Sequence, residues 1–66
     1  GPQPTPQDIE AILATWQPGQ PLPPWLHDLA LTDQGDPALM QALEAAIQAM
    51  PPEQRQAFMT ALFQGR

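Results

Sequence analysis

The chain has 66 residues, ten of them proline and none cysteine, with seven acids against two bases and a formal charge of −5. A chain this short supports one modest core and no deep catalytic cleft, and the missing cysteine removes a disulfide scaffold, a thiolate nucleophile and the usual structural zinc site together. With Arg55 and Arg66 the only bases, the surface repels phosphate backbones and anionic membranes, and no apolar run approaches the roughly 18 residues of a spanning helix.

Valine, tyrosine, serine and asparagine are absent, while alanine, leucine and glutamine dominate. Strand propensity is therefore low throughout, and the expectation is an all-α fold, a small bundle of three to four short helices. The vocabulary also resembles that of a high-GC bacterial gene. Gly1-Pro2 resembles the scar of a tag-removing protease, so residues 1–4 are read as that scar with a flexible N-terminus, 5–64 as one helical domain and 65–66 as the C-terminal end. No basic start followed by an apolar stretch suggests a signal peptide, and localisation defaults to the cytoplasm.

Thr5-Pro6-Gln7-Asp8 carries a helix start: threonine caps free amides, proline fits the first helical position, and an acid in the first turn suits the dipole. Ile9, Ile12, Leu13 and Trp16 follow at i, i+3, i+4, i+7 spacing, predicting a helix over about 6–16 with one narrow apolar stripe. Gln17-Pro18-Gly19-Gln20-Pro21 forces a turn. A short helix over about 23–30 comes next, burying Trp25, Leu26 and Leu29, and Thr32-Asp33-Gln34-Gly35 reads as a loop.

Asp36-Pro37 repeats the capping chemistry and opens a helix over about 37–50. Leu39, Met40, Leu43, Ile47 and Met50 form its bulky face, with Ala38, Ala42, Ala45 and Ala49 as a smooth seam beside it, which predicts a central helix with neighbours on two sides. Pro51-Pro52 ends it and starts a fourth helix over about 52–64, with Gly65 as terminator. The fourth helix has a wide apolar arc, Phe58 and Leu62 on one side and Met59 and Phe63 on the other. A small bundle does not surround both. The expected core is thus Ile9, Ile12, Leu13, Trp16, Trp25, Leu26, Leu29, Leu39, Leu43, Ile47, Phe58 and Leu62, with Met40, Met59 and Phe63 left to contact another chain.

Candidate chemistry is thin. A nucleophilic site needs serine or cysteine beside a base, and both types are missing; His27 and Asp28 are adjacent on a helix, about 100° apart, and form no dyad. Asp33 and Asp36 lack calcium-loop spacing and read as a loop acid and a helix cap. Gly19 and Gly35 make no phosphate loop. A helix-turn-helix reading of the last two helices would present Glu53, Gln54, Arg55 and Gln56 to DNA, and one base does not anchor a duplex. Pro21-Leu22-Pro23-Pro24 resembles a polyproline ligand, yet it also does what punctuation between two helices requires, with both tryptophans packed inward. No catalytic residue, metal ligand or cofactor site is expected.

The reading is a non-catalytic protein–protein interaction module. Asp8, Glu10, Asp28, Glu44 and Glu53 bias it toward a partner with basic residues on a helical segment, with a homodimer also open. The proline-punctuated helix starts Asp36-Pro37-Ala38-Leu39 and Pro51-Pro52-Glu53-Gln54, the acidic balance and an end soon after the last helix resemble the helical docking domains of modular polyketide and non-ribosomal peptide synthase subunits. That resemblance implies a module that holds consecutive subunits in order by weak, specific helix packing. With no serine to carry a phosphopantetheine arm, the chain is not the carrier domain of such a system. A small bacterial regulatory or adaptor protein, toxin-neutralising or a homodimeric structural domain, shares the same features.

Overall fold

Each helix opens on a proline: α1 spans Pro6–Thr15, α2 Pro24–Leu31, α3 Pro37–Ala49 and α4 Pro52–Gln64. Proline lacks the amide hydrogen that a first-turn residue leaves unpaired anyway, and its fixed φ already suits a helix. The computed structural model describes residues 4–31 and 36–64, and every regular element among them is an α-helix. Gly1-Pro2, read above as a tag scar, residues 32–35 with Asp33, read above as a loop, and Gly65 and Arg66 lie outside the described residues.

Two helix starts are capped by their own neighbours. Thr5 and Asp8 form a capping box: the Asp8 amide donates to Thr5 Oγ1 at 3.2 Å, and the Thr5 amide donates to Asp8 Oδ2 at 2.9 Å. At α3, Asp36 Oδ1 accepts from the Ala38 amide at 2.8 Å. Expected boundaries shift by one residue where proline geometry dictates it. Met50 precedes Pro51 and turns extended (φ −74°, ψ 147°), so α3 stops at Ala49. Pro23 precedes Pro24 and stays outside α2, which continues instead to Leu31. Trp16 is also extended (φ −67°, ψ 139°) and leaves α1 one residue short of expectation.

Between α1 and α2 the Gln20 amide bonds the Gln17 carbonyl at 3.1 Å, closing a turn with Pro18 and then Gly19 at its centre. Gly19 has φ +95°, the conformation the third residue of a type II turn requires and one that a side chain opposes.

The most extensive packing is α1 against α3, with α2 on α4 and α3 on α4 completing the bundle. The core comprises Ile9, Leu13, Trp16, Leu22, Leu26, Leu43, Met50, Phe58 and Leu62. Phe58 is its centre, fully buried and edge-on to Trp16 with ring centroids 5.4 Å apart. Ile12, Trp25, Leu29, Leu39 and Ile47, expected in the core, are half-buried and pack against it. Leu22 and Met50 take interior places instead. Both lie outside the helices, where the chain bends back over the bundle.

The alanine seam needs correction. Ala38, Ala45 and Ala49 are exposed, whereas Ala42 and Ala46 are half-buried against the core. They share the stripe of Leu39, Leu43 and Met50, so α3 meets its neighbours along its bulky side.

Candidate functional site

The molecule measures 29 × 24 × 21 Å, about two helix diameters in each direction. No helix is wrapped on all sides at this size, and α4 shows the result most sharply. Phe58 and Leu62, one turn apart, are 0% and 1% exposed. Met59 and Phe63, one residue further on and therefore about 100° round the helix, are 36% and 48% exposed. Apolar side chains thus occupy both sides of α4, and the bundle covers one. Met40, grouped with these two from the sequence, is half-buried on α3 and offers less surface than they do. Leu31, at the end of α2, is 45% exposed and had no place in the expected contact set, because it falls outside the stripe of Trp25, Leu26 and Leu29.

The polar side chains are engaged in closing helix ends. Arg55, in the first turns of α4, donates from Nε to the Ile47 carbonyl at 3.2 Å, and from Nη2 to those of Gln48 at 3.3 Å and Met50 at 3.1 Å. Gln54 Nε2 donates to the Trp16 carbonyl at 2.9 Å. The Trp16 indole in turn donates to the Gln20 carbonyl at 3.0 Å. His27 is half-buried, with Nδ1 2.8 Å from the Leu62 carbonyl. A carbonyl oxygen only accepts, so Nδ1 carries the hydrogen and His27 ties α2 to the end of α4. Asp36 is the α3 cap, and among the described residues no three carboxylate, imidazole or thiol groups gather as metal ligands.

Two concave regions stand out among the described residues. One, of about 310 Å³, lies where α1, the end of α3 and the start of α4 converge, and Leu13, Ala14, Ala46, Ala49 and Met50 form its apolar walls. The other, of about 490 Å³, is lined by Pro4, Asp8, Ala11, Ile12 and Trp25 between α1 and α2. Asp8 is the capping-box acid, which leaves that hollow with one committed polar group. Neither was foreseen, since a groove between helices depends on how they cross and leaves no local pattern.

No helix among the described residues is long and apolar enough to cross a membrane. No family model, curated protein or solved structure matches this chain.

Proposed function

We propose that this domain is a non-catalytic docking module, in the manner of the helical domains that join subunits of bacterial multienzyme assemblies in the cytoplasm. The observation that carries the reading is the doubled apolar face of α4. Phe63 and Met59 stand exposed one turn apart while the neighbouring face of the same helix, about 100° away, fills the core. Phenylalanine and methionine are enriched at protein contacts, and an i, i+4 pair of them matches the spacing with which a partner helix lays down its own apolar stripe.

The partner is a basic amphipathic helix. With seven acids against two bases, and Arg55 already donating to three carbonyls at and just past the end of α3, the chain meets an approaching cation favourably and an anion unfavourably. Panning the domain against a display library of helical peptides tests this. Enriched sequences are expected to combine aliphatic residues at i, i+3, i+4, i+7 with lysine or arginine flanking them. Phe63→Ala should leave the thermal melt within about 0.5 kcal/mol of the parent and weaken the selected peptides by about 1 to 3 kcal/mol. Peptides that bind Phe63→Ala as tightly as the parent would remove the α4 face from the reading.

A further inference from the structure

The groove at the α1–α3–α4 junction has its own chemistry. Its volume of about 310 Å³ stands at the lower end of the range for small-ligand sites, and its walls are alanine, leucine and methionine. Two polar side chains reach it, Glu10 and Gln54. The Gln54 amide nitrogen spends one of its two hydrogens on the Trp16 carbonyl, so that side chain still offers a visitor its amide oxygen and one N–H. The Glu10 carboxylate is an acceptor as well. Leu13 and Ala14 belong to the last turn of α1, the end at which the helix dipole is negative, and that helix carries no base in its last turn. Arg55 binds carbonyls at the end of α3 and is not among the groove's lining residues.

Apolar walls with a carboxylate as the one charged group among the lining residues favour one kind of side chain. We infer that the groove receives a lysine or arginine of the docking partner, its methylene stem along Ala14, Ala46 and Ala49 and its charge at Glu10. Long basic side chains bury their stems in this way while the head remains near water. The inference rests on the docking reading and adds to it a second contact, on a different face from Phe63.

Titration of the ¹⁵N-labelled domain with n-butylguanidinium, up to about 100 mM for a weak single-side-chain contact, examines the groove without the partner. Saturable amide shifts are expected over residues 10–14 and 46–54, and none with n-pentanoate, which has the same chain and the opposite charge. Glu10→Gln should weaken the response about two- to fivefold, as for an exposed ion pair. Ala49→Leu, at an exposed position that lines the groove, should abolish it with the fold intact. Phe63→Ala should leave it unchanged. Equal shifts with pentanoate, no saturable response, or a response indifferent to Glu10→Gln and Ala49→Leu would overturn the inference. Peptides that dock through Phe63 without any basic residue, beside a negative titration, would retire the groove and keep the docking face. A positive titration with no Phe63-dependent peptide would do the reverse.

Discussion

At the starts of α1 and α3 the free amides are met from within a few residues, by Thr5 with Asp8 and by Asp36. At the ends of α1, α3 and α4 the free carbonyls are met from another helix, by Gln54, Arg55 and His27. The cause is composition. None of these three helices has a base in its last turn, so beside the short-range bonds of Thr15 Oγ1 to the Ala11 and Ile12 carbonyls and of the Met50 amide to Ile47, carbonyls at these ends draw on side chains of another helix. A local cap holds whether or not the bundle has assembled, whereas a donor carried on another helix works only once that helix has docked. The starts therefore report local structure, whereas the ends add bonds that form only on assembly, with α4 supplying the donors for two of them.

Detaching α4 is the severest way to test that division. Phe58→Ala opens a cavity at the fully buried centre and should cost about 3 to 5 kcal/mol. A domain of this length holds about 3 to 10 kcal/mol in all, so circular dichroism should show loss of most helix at ordinary temperature. Retention of a native melt would mean that α4 is not the keystone. Arg55→Met keeps the stem and removes the three donated bonds, and a loss of about 1.5 to 3 kcal/mol is expected in denaturant titrations. Hydrogen exchange should then accelerate at the end of α3 and the beginning of α4 together; acceleration in one helix alone would break the coupling claimed here. Gln54→Ala removes a single bond across 38 positions and should cost about 1 kcal/mol, loosening residues 16–20 along with the start of α4. Smallest is Thr5→Ala, at about 0.5 to 1 kcal/mol, with faster exchange confined to the first turn of α1. Spread of that effect into α3 would erase the contrast between starts and ends.

Legibility in the sequence divides along the same line. Thr5-Pro6 and Asp36-Pro37 are caps that read directly, because capping chemistry needs particular residue types at fixed short spacings. Helical periodicity likewise separates Phe58 and Leu62 from Met59 and Phe63, since one residue is about 100° of rotation. Leu22 and Met50 share the apolar spacing of the second and third helices but lie just outside them, in a proline-rich connection and at a helix cap, and neither was placed in the expected core. The tie from His27 to Leu62 spans 35 positions, and nothing in a histidine's immediate neighbours announces a carbonyl that far along the chain. The junction groove depends on three helices at once. A docking face leaves an equally faint trace, because apolar contact and charge bias require no residue type at a fixed separation, whereas catalysis and metal binding do.

The negative charge on which the proposed basic partner depends also governs how copies of this chain meet one another. Two molecules each carrying −5 repel before their exposed phenylalanine and methionine side chains come within reach, and the repulsion extends about 10 Å at 0.1 M salt and about 30 Å at 0.01 M. Dilute electrolyte thus acts as a colloidal barrier that keeps the apolar faces apart. Concentrated electrolyte collapses that barrier to about 3 Å at 1 M, which is too short to hold the exposed apolar side chains apart.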